Sequence, residues 1–158
     1  MSALNKEEPR LFFRRMKTED IPSVLEIERL SFTNPWSRET FVGEIQNDII
    51  SFPLVLIEKP ESRLVGYLVY WRIHDDVQIN NIAVHPDYRG RGFGEAMLRS
   101  LIKNLKKEEV TFISLEVRCS NTPAISLYRK FGFEVIGKRT GYYTNPDEDA
   151  YIMALTMK

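Results

Sequence analysis

Residues 89–94 read Arg-Gly-Arg-Gly-Phe-Gly and have the composition of an anion-binding loop. A β-branched, apolar run at 77–84 precedes them and predicts a strand, and apolar residues at helical spacing from Met97 to Leu105 predict a following helix. Glycine allows backbone N–H groups to approach a ligand closely, and a helix start adds unpaired N–H groups with partial positive charge. The segment therefore predicts a phosphate cradle, with a purely structural turn as the alternative.

Two side chains have the chemistry to move protons. Glu116 lies on the polar face of a predicted strand at 112–118, and Tyr128 lies two helical turns after Asn121 on the same face of a predicted helix. A carboxylate accepts a proton and a phenol donates one. Residue type alone favours plainer roles, which are an ion pair for Glu116 and a core aromatic for Tyr128.

Three other polar or aromatic side chains indicate a binding surface. Trp36 lies between two predicted helices, as a packing anchor or as the wall of a groove. Asn80 and Asn81 interrupt a predicted strand, and buried amides need partners, so they either bind a peptide backbone or fix a bulge. His74 and His85 fall at turns, where we expect them to be solvated. No metal site is predicted.

Composition sets the class of protein. With 158 residues the chain predicts a flexible tail at 1–10 and a single domain at 11–158. The formal net charge of zero argues against direct nucleic-acid binding, and no apolar run is long enough for a membrane span. One cysteine, Cys119, excludes a disulfide within the chain and favours a reducing compartment. We expect a cytoplasmic protein that is a monomer or a weak dimer.

Hydrophobic periodicity and turn residues predict the order β-α-α-β-β-β-α-β-α-β-β, an α/β mixed sheet with helices on both faces. Thr18 is the predicted N-cap of the first helix, Ser37 begins the second, and Gly132 ends the last in a left-handed conformation. The predicted strands are 11–16, 52–57, 64–73, 77–84, 112–118, 134–139 and 151–157, with a loop at 141–146.

The glycine loop resembles the acetyl-CoA signature of the GNAT N-acetyltransferases, Gln/Arg-x-x-Gly-x-Gly/Ala, through Arg89, Gly92 and Gly94. The resemblance covers nearly all of the chain after the first ten residues and implies the GNAT fold, with acetyl-CoA as co-substrate and no metal. It implies that Ile82 and Val84 hold the pantetheine arm and that the pyrophosphate lies on Gly90, Arg91, Gly92, Phe93, Gly94 and Glu95. Ala83, Arg89 and Asn121 complete the implied cofactor-binding residues.

The same resemblance assigns catalytic roles. The pattern Ala-x-x-Leu-Tyr-x-x-x-Gly-Phe is filled at 124–133, and its tyrosine, here Tyr128, is the general acid in that family. Leu-Glu-Val-Arg at 115–118 is similar to the branch that acetylates the N-terminal alanine of a ribosomal protein, where the glutamate, here Glu116, is the general base. Together with residue type, the resemblance implies a peptide groove formed by Trp36, Asn80, Asn81, Arg139, Tyr142 and Tyr143.

The implied function is acetyl transfer from acetyl-CoA to a protein N-terminus by direct attack in a ternary complex. The branch resemblance points to the N-terminal alanine of small-subunit ribosomal protein eighteen. Two alternatives stay open, namely a lysine or small-amine acetyltransferase of the same fold and an acyl-CoA-binding sensor without catalysis. A ping-pong route through Cys119 is disfavoured, because no histidine stands near it in sequence.

Overall fold

A seven-stranded mixed sheet forms the centre of the computed structural model, which describes residues 10–157. The strand order is β1-β2-β3-β4-β5-β7-β6, and the predicted order of strands and helices is confirmed. The strands are β1 Arg10–Arg15, β2 Ser51–Lys59, β3 Arg63–Ile73, β4 Asp76–Val84, β5 Phe112–Arg118, β6 Glu134–Tyr143 and β7 Glu148–Thr156. The helices are α1 Ile21–Ser31, α2 Arg38–Gln46, α3 Phe93–Lys107 and α4 Thr122–Lys130.

Residues 1–9 of the tail predicted at 1–10 lie outside the described residues. Arg10, predicted to end the tail, instead begins β1 and lies opposite Lys59 of β2. None of the helices between residues 10 and 157 has the length and apolar character needed to cross a membrane.

The only parallel pair in the described sheet, β4 with β5, opens part-way along its length. Its crossover passes through α3, as a parallel connection requires. The pairing runs from Asp76 opposite Phe112 to Ile79 opposite Leu115, and the two strands part beyond that point. We call this point the fork. It leaves a cleft in the middle of the sheet.

A β-bulge lies at the same place on β4. Val69 pairs with Asn81 and Tyr70 pairs with Ile79, so Asn80 is the extra residue. A bulge, one of the two alternatives predicted for these amides, is therefore present at Asn80, although the Asn80 amide nitrogen donates to no described residue. Because a bulge re-aims the side chains around it, it sets the side chains that β4 presents to the cleft.

Helix α3 packs against β3 and β4 through the apolar stripe that its sequence predicts. Its inward residues are at most 8% exposed and form one core cluster with β5 and α4. Those residues are Phe93, Met97, Leu98, Leu101, Ile102 and Leu105. This packing holds the N-terminus of α3 against the end of β4.

We expect Leu98→Ala to lower the free energy of unfolding by about 2–5 kcal/mol, because Leu98 is 0% exposed and its truncation leaves a cavity. Lys103→Ala, on the exposed face of the same helix, is the control and should change stability by less than about 0.5 kcal/mol. Urea denaturation of both variants measures the difference. Equal midpoints for the two would contradict this account of the core.

Helices α1 and α2 cover the opposite face of the sheet, where Phe41 and Tyr67 are fully buried. Ser37 begins α2 as predicted, accepting a hydrogen bond from the Thr40 backbone N–H at 3.2 Å. The prediction for Thr18 was wrong. Thr18 begins a short 3-10 turn, Thr18–Asp20, and α1 starts only at Ile21. The Asp20 carboxylate accepts hydrogen bonds from Arg14 and from the Lys17 N–H, and these bonds stabilise the separate turn.

The predicted loop at 141–146 begins too early. Gly141, Tyr142 and Tyr143 belong to β6, and the turn to β7 occupies residues 144–147. Gly141 has φ +64° at an irregularity in the β6–β7 pairing, after which Tyr143 pairs with Glu148. The glycine therefore bends the strand without ending it. Gly132, with φ +96°, has the left-handed conformation that was predicted.

Candidate active site

The side chain of Glu116 faces the cleft from β5. Its neighbours Ile113, Leu115 and Val117 point to the α3–α4 side, so Glu116 and Arg118 point to the α1–α2 side. The Glu116 side chain is 16% exposed, and its Oε1 accepts from Arg139 Nη1 at 2.9 Å. Its Oε2 is buried and has no hydrogen-bond partner among residues 10–157. The ion pair foreseen as the plainer role therefore forms, and it leaves one oxygen uncommitted.

A second uncommitted polar atom lies on the other strand of the fork. Asn80 Nδ2 is buried, and no described residue accepts its hydrogen bond. Since Ile79 is opposite Leu115, Asn80 and Glu116 are the next residues along the two parting strands. Buried polar groups are nearly always hydrogen-bonded in folded proteins. A buried donor on one strand and a buried acceptor on the other could therefore hold a polar ligand or a water molecule at the fork.

Tyr128 lies on α4 in contact with the ring of Phe133, with 5.8 Å between the ring centroids. Burial, with a smaller effect of Tyr143, raises the pKa of Tyr128, so its hydroxyl stays protonated at neutral pH. No residue in the described range forms a hydrogen bond with that hydroxyl. Asn121 caps α4 by accepting from the Ala124 N–H at 3.3 Å, which leaves its own amide N–H groups for a ligand.

Two arginine–tyrosine stacks line the cleft on the β6–β7 side. Arg139 lies 4.3 Å from the ring centroid of Tyr142, and Arg118 lies 4.4 Å from that of Tyr143. Burial raises the pKa of both tyrosines, that of Tyr143 to about 12, and the neighbouring Glu116 carboxylate adds to the rise in the pKa of Tyr142. Both rings are therefore neutral hydrogen-bond donors at physiological pH.

Sequence reasoning gave no role to Arg118. Its guanidinium donates to the carbonyls of Thr144 and Pro146, at 3.0 and 2.9 Å, and so holds the β6–β7 turn. Asn34 reaches the same turn from the loop between α1 and α2, donating to the Thr144 carbonyl at 3.0 Å. The loops on the two sides of the cleft are therefore joined above it.

The glycine loop leaves its backbone accessible. Gly90 and Gly92 have φ +79° and +81°, and a Cβ at either position would meet no atom within 4 Å. Gly92 is also the N-cap of α3, a helix of 15 residues, so unpaired N–H groups begin there. The space beside these N–H groups is open, as an anion cradle requires.

The arginines of this loop hold it in place. Arg89 donates to the Val84 carbonyl at 3.0 Å and to Ser31 Oγ at 2.9 Å. Arg91 pairs at 2.8 Å with Glu58, which is 1% exposed, and lies over the ring of Phe93. Because both arginines are engaged within the protein, the backbone N–H groups are the atoms of the loop left to hold an anion.

The remaining predicted cofactor residues surround the same loop. Hydrogen bonds from Lys130 and Arg99 lower the pKa of Glu95, so its charge in the first turn of α3 is compensated. Ile82 and Val84 pack against the main core cluster, and Ala83 packs against the second cluster on the opposite face of β4. Residues 10–157 contain no group of three histidine, cysteine, aspartate or glutamate side chains arranged to hold a metal ion.

Comparison with known proteins agrees with this geometry. The model of the acetyltransferase (GNAT) family matches residues 21–133. The chain belongs to this family. GNAT acetyltransferases use acetyl-CoA, and an open backbone cradle at a helix N-terminus, held by one ion pair and by the hydrogen bonds of Arg89, fits the pyrophosphate of that co-substrate.

Individual relatives in the GNAT family cover almost the whole chain. A Bacillus subtilis (strain 168) protein is 46% identical over 91% of this chain and 94% of its own length. Its name describes it provisionally as a ribosomal protein bS18-alanine N-acetyltransferase. The Escherichia coli (strain K12) bS18-alanine N-acetyltransferase is 37% identical over 89% and 93% of the two chains. A crystal structure of the Escherichia coli ribosomal-protein-S18-alanine N-acetyltransferase superposes with a TM-score of 0.85 at 34% identity, covering 94% and 95%.

The cradle can be tested with two alanine substitutions. Gly92→Ala places a methyl in the open space beside the loop and strains a left-handed residue by about 1–2 kcal/mol, and the free loop would relieve that strain by leaving the conformation that binds the anion. We expect the Kd for acetyl-CoA to rise about 5- to 30-fold. Gly43→Ala is the control, because Gly43 is exposed on α2, outside the loop, and a Cβ there would meet no atom within 4 Å and needs no left-handed φ. Calorimetric titration measures both Kd values, and equal values would contradict the assigned cradle.

The structure corrects one expectation and adds one residue. His85, predicted to be solvated, has a side chain only 13% exposed, because its ring lies against α1 with Nε2 3.2 Å from Glu26 Oε2. Glu28, which sequence reasoning passed over, is a buried carboxylate hydrogen-bonded to Asn81 at the fork, at 2.7 Å. The helical spacing from Ile21 and Val24 places position 28 on the buried face, so an acid there was the available signal.

Proposed function

We propose that this chain transfers the acetyl group of acetyl-CoA to the α-amino group of the N-terminal alanine of ribosomal protein bS18. The observation that carries the proposal is the pair of buried atoms without hydrogen-bond partners at the fork, Glu116 Oε2 and Asn80 Nδ2. The names of the bS18-alanine N-acetyltransferases to which the chain is similar over most of its length support the choice of acceptor.

The chemistry needs two proton movements. Acetyl-CoA, when bound, supplies a thioester carbonyl as the electrophile. Glu116 Oε2 accepts a proton from the amine as the amine nitrogen bonds to that carbonyl, and the Tyr128 hydroxyl donates a proton to the sulfur as the carbon–sulfur bond breaks. Arg139 fixes the Glu116 carboxylate through its other oxygen. The products are an acetylated terminus and a free thiol.

An α-amine suits this site better than a lysine does. The α-amino group has a pKa of about 7.7–8.0 and the lysine side chain about 10.4, so a single carboxylate suffices to deprotonate the first. In the proposed groove, Trp36, Asn81, Tyr142 and Tyr143 would line the path of the acceptor chain. The hydrogen bonds from Asn34 to Thr144 would cover that path, so that it would admit a narrow chain terminus.

Mass spectrometry of an acetyl-CoA reaction tests the proposal. The acceptor is an unblocked peptide that begins with alanine and contains one internal lysine, and the control is the same peptide with a blocked terminus. We expect acetate on the alanine amine of the first peptide and none on the second, followed by acetylation of intact bS18. Acetate on the lysine of both would move the assignment to a lysine acetyltransferase. Tight acetyl-CoA binding without any acetate would favour the sensor alternative.

A further inference from the structure

Glu28 on α1 is a buried acid without an ion pair among residues 10–157. It is 1% exposed. Its Oε2 accepts from the Trp36 backbone N–H at 2.9 Å, and its Oε1 accepts from Asn81 Nδ2 at 2.7 Å and from the Tyr67 hydroxyl. The three donors come from the α1–α2 loop, from β4 and from β3. A single carboxylate therefore joins three separate parts of the fold.

This arrangement suits a carboxylate and no neutral side chain. Each of the three partners presents an N–H or O–H to Glu28, and an ionised carboxylate is an acceptor only. Burying such a group has a cost, and burial raises the pKa of Glu28 against the opposing effect of these hydrogen bonds. Neutral donors offset that cost without a cation. An apolar residue would fill the same position in the core without this cost, so the network itself has to account for an acid there.

The network connects the two parts of the cleft that would meet the acceptor. Trp36 belongs to the loop between α1 and α2, and its ring packs on Phe41 with 5.3 Å between centroids. Asn81 follows the bulged Asn80 at the fork. The glycine loop takes no direct part, since its own contacts run through Arg89 to Ser31 and through Arg91 to Glu58.

We infer that Glu28 is a positioning residue for the acceptor, fixing the distance between the Trp36 loop and the fork so that a peptide terminus reaches Glu116. The inference rests on the proposed function. It separates the roles of the two acids near the fork, because Glu116 would exchange a proton and Glu28 would only shape the groove. Its consequence is that Glu28 controls the use of the acceptor and leaves acetyl-CoA binding unchanged.

The test substitutes Glu28→Gln, which places an N–H₂ group against a set of donors. We expect the KM for the alanine peptide to rise about tenfold or more while the Kd for acetyl-CoA stays within twofold of wild type. Glu39→Gln, an exposed acid on α2, is the control and should change neither value. An unchanged peptide KM, or a KM and Kd that rise together with a loss of stability, overturns the inference.

Two further measurements keep the result decisive. If Glu28→Gln does not fold, Glu28→Asp keeps the charge but is one methylene too short to reach all three donors, so a smaller rise in peptide KM is expected, and an unchanged KM overturns the inference. Wild-type acetylation of the peptide is scored first, so failure of the proposed function appears in the wild type. Hydrogen exchange in the loop at 32–37 needs no turnover, and it should be faster in either variant.

Discussion

Glu116→Gln is expected to lower kcat by about 10²- to 10⁴-fold, the usual contribution of a general base, while the Kd for acetyl-CoA stays near that of wild type. The amide keeps the shape of the side chain and can still accept from Arg139, but it cannot take a proton from the amine. Single-turnover rates with saturating peptide and acetyl-CoA measure the effect. An activity within threefold of wild type would remove Glu116 from the assigned role.

The pH dependence separates a base from a structural residue. Below the α-amine pKa of about 7.7–8.0 the acceptor is protonated and needs a base, and above it the neutral amine predominates. The deficit of Glu116→Gln should therefore shrink as the pH rises from about 7 to 9. Glu134→Gln, an exposed acid at the start of β6, is the control and should follow the wild type at every pH. A deficit that is constant with pH would indicate that the substitution damages the site in another way.

The elements were predictable because their patterns are local. Period-two alternation in 112–118 identifies the face of Glu116, and helical spacing from Met97 to Leu105 identifies the buried face of α3. The glycine loop is likewise a short-range signal, since Gly92 must adopt a left-handed conformation before the helix begins. Both features depend on residues a few positions apart.

What could not be predicted depends on contacts between distant residues. Glu28 meets Asn81 across 53 positions, and Arg91 meets Glu58 across 33. No single-sequence pattern indicates which buried acid finds which donor. The uncommitted atoms at the fork depend on register, because one bulged residue at Asn80 decides which amide β4 turns toward the cleft.

The Gly141 error has the same origin. Glycine followed by two tyrosines and Thr-Asn-Pro is typical of a loop, but β7 continues the pairing past the bend, with Tyr143 opposite Glu148. This pairing keeps Tyr142 and Tyr143 on a strand next to the site. Their rings then stack on Arg139 and Arg118 beside Glu116.

Tyr128→Phe is expected to lower kcat by about 10²-fold, because the departing sulfur then has no positioned proton donor. Burial raises the pKa of Tyr128, so the phenol stays protonated throughout about pH 6–9. Its loss should therefore have the same effect at every pH in that range, in contrast to the Glu116→Gln deficit. Single-turnover rates over this pH range measure the loss. An unchanged kcat would mean that another group protonates the departing sulfur.

Tyr70→Phe is the matched control for Tyr128→Phe, since it removes the hydroxyl of another buried tyrosine whose pKa is raised by burial and by Glu108, and not by any group of the cleft. The Tyr128 hydroxyl has no hydrogen-bond partner among residues 10–157, so its removal should not lower the free energy of unfolding. Catalysis and stability therefore separate at this position. If the variant kept wild-type stability and acetyl-CoA affinity but had an about hundredfold lower kcat, the lost activity would be due to the missing hydroxyl proton.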